Sequence, residues 1–211
     1  MDIRPEYKKK SIRSYVIRAG RITHGQKVAF EKFWPDYGLS LHQGMIEPAT
    51  LFPTKAPLVL EIGFGMGASL LHMAQQEADK NFIGIDVHPP GVGRLISEAG
   101  KLSVANLRVY MADAVDVLDD CIPDGSLSRV QLYFPDPWHK KKHHKRRIVQ
   151  PDFVEKIRKK LTVDGVFHMA TDWQPYAEHM MEVMSVAEGY ANLAGENNYS
   201  PRPDYRPVTK F

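Results

Sequence analysis

Between residues 57 and 187 short apolar runs alternate with stretches whose apolar positions recur every three or four residues. The run Leu58-Val59-Leu60-Glu61-Ile62 ends in Gly63-Phe64-Gly65-Met66-Gly67 and opens onto residues 68–74, a pattern that predicts a strand, a tight loop and a helix. Further strands are predicted over 82–87, 107–111, 127–134 and 165–171. Between them fall helices over 89–104, up to about Leu118, and after Pro151, where Phe153, Val154, Ile157 and Leu161 share a side. The last helix has the clearest period: Asp172 is placed to cap it, Pro175 falls in its first turn, and Tyr176, His179, Met180, Val183, Met184 and Ala187 repeat at helical spacing. Strands alternating with helices predict an α/β fold with a mostly parallel, doubly wound sheet and helices on both faces.

Composition changes this picture little. A chain of 211 residues with 43% hydrophobic and 25% charged residues suits one globular unit with a sizeable core. The net charge of +3 says less than its distribution, which concentrates in residues 1–27 and in the run from Lys140 to Arg147. The expected organisation is therefore a basic N-terminal arm, 1–27, and a domain over 28–211, with the aromatic-rich, proline-punctuated stretch 28–56 as a lead-in packed on the core. The arm reads either as a disordered basic tail or as a segment that orders on a polyanion. The single cysteine, Cys121, reads as a packing residue; with no signal peptide and no apolar run near the roughly 20 residues needed to span a bilayer, a cytoplasmic, membrane-free protein is expected.

Candidate chemistry gathers at predicted strand ends, where ligands bind in such sheets. Gly63, Gly65 and Gly67 allow a tight turn and close approach of a ligand to the next helix N-terminus. The spacing departs from a dinucleotide fingerprint, and Glu61 beside the loop would repel a pyrophosphate while suiting an amino-bearing ligand. Asp86 is placed to accept from ribose hydroxyls, and Asp113, flanked by Ala112 and Ala114, from an adenine amino group. Each acid alone reads more readily as a cap or a solvated loop residue than as a ligand. Together they describe a nucleoside with a cationic, amino-acid-like tail, which S-adenosylmethionine matches and NAD does not.

At the end of the fourth strand Pro135-Asp136-Pro137 holds one acid in a rigid turn, followed by Trp138, His139 and the basic run. Tyr133, Phe134 and Trp138 are candidates to stack on a base or face a sulfonium, with packing the competing reading for each. The histidines at 139, 143 and 144 sit among too many cations to favour a metal, and none is expected. Two basic surfaces predict phosphate contacts and a steep salt dependence of binding.

Taken together, the chain resembles the bacterial tRNA (guanine-N7)-methyltransferases of the class I S-adenosylmethionine-dependent fold. The resemblance runs from about Gly20 to the last residue and rests on residues 60–67, Phe134-Pro135-Asp136-Pro137-Trp138, Lys145-Arg146-Arg147, Ala170-Thr171-Asp172 and Arg206-Pro207-Val208-Thr209-Lys210-Phe211. The glycine loop is shared by many methyltransferases; the Pro-Asp-Pro-Trp and Thr-Lys-Phe motifs are far more specific. The resemblance implies a Rossmann-like fold and methyl transfer to the variable-loop guanine of tRNA; the protein is expected to be a monomer or a homodimer, and the sequence does not choose between them. It implies that Glu61, Asp86, Asp113 and Asp136 contact the cofactor, with the glycines and Ala114 beside them. Lys140, Asp172, Thr209, Lys210 and Phe211 would contact the substrate, and Lys142, His143, His144, Lys145, Arg146 and Arg147 the RNA. In the family the Thr-Lys-Phe segment continues into a glutamate and a final strand, whereas this sequence stops at Phe211, so a sheet lacking that strand is expected. The competing classes are a nicotinamide dehydrogenase, which lacks its fingerprint here, and a non-catalytic RNA-binding module, which leaves the three strand-end acids without a shared purpose.

Overall fold

A computed structural model describes residues 3–8, 12–16 and 22–208. Its centre is a six-stranded sheet in the order β1-β4-β3-β2-β5-β6, formed by β1 (Gly38–Leu39), β2 (Leu58–Ile62), β3 (Asn81–Ile85), β4 (Leu107–Tyr110), β5 (Leu127–Tyr133) and β6 (Leu161–Ala170). Every pairing is parallel. No antiparallel strand joins them among the described residues.

Side-chain alternation along the strands divides the core between the two faces. Leu60, Ile62, Ile83, Val130 and Leu132 pack with α5 (Ala114–Asp120), α6 (Pro151–Lys160) and α7 (Gln174–Ser185), which contribute Val117, Phe153, Ile157, Tyr176 and Met180. Val59, Phe82, Val109 and Tyr133 pack with α1 (His24–Tyr37), α3 (Ala68–Gln76) and α4 (Pro89–Lys101) through Phe30, Leu70, Met73, Leu95 and Ile96. A short helix, α2 (Pro48–Leu51), lies in the lead-in. Cys121 is buried in the first of these layers, a packing residue as expected.

The expected lead-in contains a helix, α1, that the turn signal at Trp34-Pro35-Asp36-Tyr37-Gly38 had obscured. Pro35 is accommodated near its C-terminal end, and Thr23 and Gln26 form a reciprocal capping box at its start. At α7, Asp172 is not the cap as expected. Trp173 occupies that position and offers no side-chain cap, while its backbone N–H donates to Thr171 Oγ1.

The strand order places a reversal between β2 and β5: the chain proceeds through β3 and β4 to one side and through β5 and β6 to the other. The crevice beyond the carboxyl ends of β2 and β5 is the expected ligand position in such a sheet. Described residues near both termini reach this region. Glu6 pairs with Ala112 just past β4 and accepts from Ser40 and the Leu41 amide through its carboxylate. Residues 12–16 cross toward the segment after β5, and the 203–206 region packs on β5 and β6. Parts of the basic arm thus lie on the domain.

Candidate active site and RNA-facing surface

Glu61 sits on β2, in a strand buried along its whole length, and is 3% exposed. Its Oε2 is buried without a hydrogen-bond partner among the described residues. Burial, reinforced by the nearby Asp86 carboxylate and opposed by Arg129, pushes its pKa up to about 8. A neutral acid with an orphaned oxygen suits an incoming cation better than an incoming phosphate. Beyond it Gly63, Gly65 and Gly67 all have positive φ, and a Cβ at Gly63 or Gly65 would meet open space. Gly67 differs: a Cβ there would come within 2.7 Å of Leu95, so its glycine is also required by the packing of α4.

Asp86 follows β3 and ties the loop to it. Its Oδ2 accepts from the Gly65 amide at 2.7 Å and its Oδ1 from the His88 amide at 2.8 Å, while burial pushes its pKa up. Each oxygen keeps a further lone pair for a ribose hydroxyl. Asp113 is more committed to the fold than the sequence reading foresaw. It caps α5 by accepting from the Val115 amide through Oδ1, and its Oδ2 accepts from the Tyr15 hydroxyl at 3.2 Å. Ala114 beside it is buried.

Across the crevice, β5 delivers Phe134-Pro135-Asp136-Pro137-Trp138. Phe134 and Trp138 bracket the turn with φ of 49° and 48°, in the left-handed region that costs a non-glycine residue about 1–3 kcal/mol. Such strain persists only where surroundings over-determine the backbone. Here the Phe134 amide donates to the Ala170 carbonyl and the Trp138 indole N–H donates to the Ser14 carbonyl. Asp136 is exposed. Asp172, after β6, is exposed as well, and neither carboxylate has a hydrogen-bond partner among the described residues.

The basic run forms a short 3-10 helix, Lys141–Arg146, and its members separate into two groups. Lys140, Lys142 and Lys145 are exposed, with His143 and His144 half-buried. Arg146 lies over the Trp138 ring at 4.1 Å and donates to the Arg13 carbonyl, so it holds residues 12–16 in place. Arg147 departs from the RNA-contacting role expected of it. It is 4% exposed, donates through Nε to the Pro137 carbonyl at 2.9 Å and through Nη1 to the Pro175 carbonyl, and lies over Tyr176. Its charge points into the domain because these two carbonyls, one beside Asp136 and one in α7, need a donor that can reach both.

This assignment predicts the behaviour of Arg147→Ala. Leaving two carbonyls unpaired is expected to lower stability by about 2 kcal/mol and the melting temperature by roughly 4–8 °C. Lys142→Ala is expected to leave melting unchanged and weaken RNA binding. Thermal melts beside filter-binding titrations check both; an Arg147→Ala protein with normal melting but weakened RNA binding would return Arg147 to the phosphate surface.

The structure also recruits residues that spacing alone did not single out. Tyr133 and Tyr205 place their hydroxyls 2.9 and 2.8 Å from the same His168 Nδ1. Burial and the nearby guanidinium groups of Arg206 and Arg129 push His168 down to about 4, so the imidazole is neutral at ordinary pH. Arg129, paired with Glu77, also lies over Tyr205, and Arg206 lies over Tyr133 and Phe134. This cluster holds the segment that leads to Thr209-Lys210-Phe211, for which substrate contact was expected and which lies outside the described residues. Tyr133 and Phe134, as candidate rings, and the Arg206-Pro207 context were the only parts of the cluster legible in the sequence. Tyr15 had no signal beyond its place in a basic arm.

The donors fit S-adenosylmethionine: an orphaned buried carboxyl for the ammonium, an acid at the β3 end for the ribose, and open glycine backbone between them. Fold and site together define a Rossmann-like class I methyltransferase. Residues 55–211 match a family model described as "Putative methyltransferase". The fold is also that of the precorrin-6y C5,15-methyltransferase of Geobacter metallireducens GS-15, with a TM-score of 0.50 and 13% identity over 77% of this chain and 69% of that one. More specifically, the chain belongs to the tRNA (guanine-N(7)-)-methyltransferase family. It is 69% identical to the member from Saccharophagus degradans over 99% of this chain and 91% of that protein, and 55% identical to the one from Marinobacter nauticus over 100% and 88%.

Proposed function

We infer that the chain methylates N7 of a guanine in tRNA, and we propose the variable-loop guanine as its target, giving 7-methylguanosine and S-adenosylhomocysteine. The similarity, nearly over the full length, to relatives bearing that name carries this reading, and the chemistry of the crevice agrees with it.

S-adenosylmethionine supplies an electrophilic methyl on a positively charged sulfur. Guanine N7 carries a lone pair and no proton, so no base is required at the reacting atom, and the protein's contribution is alignment and electrostatics. Glu61 receives the ammonium, Asp86 the ribose, and the Asp113–Ala114 turn the adenine end. Asp136, fixed between two prolines with a carboxylate that has no partner among the described residues, accepts from the guanine N1–H and amino group and opposes the positive charge that the ring acquires. It also borders the cofactor. Lys140, Asp172 and the 209–211 segment position the nucleotide, and Lys142, Lys145 and the two neighbouring histidines hold phosphate. The basic residues ahead of α1 act as an arm to a domain that begins with that helix at His24, four residues before the boundary of 28 that composition suggests. Tyr15 on Asp113 and Ser14 on Trp138 support that role, since they lie between the cofactor end and the basic run.

Labelled methyl transfer tests the reading directly, with unmodified tRNA transcripts that carry the variable-loop guanine or adenine in its place. Label is expected in the first transcript alone. Equal label in both would remove the proposed target, and cofactor binding without transfer to any RNA would remove the activity.

A further inference from the structure

The rings that the motif offers for stacking on a base are largely spoken for. Tyr133 is buried and engaged by His168. Trp138 is covered by the Arg146 guanidinium, and its indole N–H donates to Ser14. Trp173 is different. It is 40% exposed, and its indole N–H has no partner among the described residues. The imidazole of His139 meets the ring edge-to-face, with centroids 4.4 Å apart and an interplanar angle of 81°.

Its position links the two halves of the site. Trp173 follows the exposed Asp172 beyond β6, and His139 follows the Pro-Asp-Pro-Trp turn beyond β5 and immediately precedes Lys140. Adjacent parallel strands bring these loops together: Tyr133 is registered with Ala170. The backbone of Trp173 is held independently of its ring. Its N–H donates to Thr171 Oγ1, and its carbonyl accepts from the amides of Tyr176 and Ala177 to start α7. An exposed aromatic ring held edge-to-face by His139, which itself precedes the exposed Lys140, has the character of a single-strand nucleic-acid platform, where phosphate contacts position the strand and rings take the bases.

We propose that Trp173, braced by His139, is a stacking platform for an unpaired base of the tRNA segment that enters beside Asp136. The proposal rests on the tRNA-methylating reading and adds a positioning role that neither charge nor motif assigns. Stacking on an aromatic ring contributes about 1–3 kcal/mol per base, a factor of roughly 5 to 150 in affinity.

Trp173→Leu keeps an apolar side chain against His139 and removes the stacking face; Trp173→Phe keeps the face. The expected result is a KM for tRNA raised at least fivefold in the leucine protein and within about threefold of wild type in the phenylalanine protein. Affinity for S-adenosylhomocysteine and melting temperature should be unchanged in both. Abasic transcripts at each nucleotide flanking the target, and methylated by both proteins, identify the base. At one position the loss seen with wild type should add nothing to the loss in Trp173→Leu. Equal KM for leucine and phenylalanine, additive losses at every abasic position, or a leucine defect shared by cofactor affinity and melting would each overturn the proposal. If wild type methylates no guanine in the intact transcript, the functional reading fails first and the platform with it; normal methylation with an undisturbed leucine variant removes the platform alone.

Discussion

Asp136→Asn is expected to lower kcat for tRNA methylation about 10²- to 10³-fold at saturating cofactor, the usual cost of deleting one preorganised electrostatic contact to a reacting centre. The amide keeps the size and loses the chemistry: its NH₂ faces guanine donors, and it carries no charge to oppose the cationic product. The large effect follows from placement. Left-handed backbone at Phe134 and Trp138, proline on both sides, and Arg147 holding the Pro137 carbonyl fix a carboxylate that has no competing partner among the described residues. Single-turnover methyl transfer measures the step, and filter binding checks that tRNA still binds. Near-normal turnover with intact tRNA binding would exclude the clamp and counter-charge role, since no proton has to be removed from N7.

Affinity for S-adenosylhomocysteine should rise with pH up to about 8, because Glu61 must release its proton to meet an ammonium group. Its pKa of about 8, against an ordinary 4.5, means that the buried acid is mostly protonated at pH 6 to 7 when no ligand is bound. A ligand cation restores the ionised form, so binding expels a proton and Kd falls by up to roughly tenfold per pH unit below that value. Calorimetry in buffers of different ionisation enthalpy counts the proton. Glu61→Gln is expected to abolish both the proton release and the slope and to weaken binding at pH 8. A flat profile in wild type would sink the assignment of Glu61 to the ammonium. The sign for stability is opposite: the unfolded chain loses this proton near 4.5 and the folded chain retains it to about 8, so the unliganded fold loses stability as pH rises through that window. The measured response of the free protein should therefore slope downward where ligand affinity slopes upward.

Most of the sheet was readable in advance because its strands carry short apolar runs and its loops carry glycine, proline and acids at the ends of those runs. The glycine loop, Asp86 and the Pro-Asp-Pro turn fall where the alternation of strands and helices predicts. Three local readings failed: Leu161, expected on the helix after Pro151, begins β6, and two others have identifiable reasons. Pro35 and the turn residues around it masked α1, whose capping box at Thr23 and Gln26 was the stronger clue. Asp172 had the right chemistry for a cap, but Thr171 meets the Trp173 amide and leaves the aspartate exposed.

Periods of two and about 3.6 residues, and motifs within a few positions of one another, are local properties, and they were sufficient for the fold class and for the acids around the crevice. Which charges and rings remain available to a ligand depends instead on partners far along the chain. Arg147 and Lys142 belong to one basic run, yet the first is spent on the Pro137 and Pro175 carbonyls while the second stays in water. Trp138 and Trp173 are both tryptophans beside a strand-end acid, yet residues 13–14 and Arg146 close over one and leave the other open. Solvent exposure and hydrogen-bond pairing are settled by such long-range contacts, which no neighbouring residue in the sequence records.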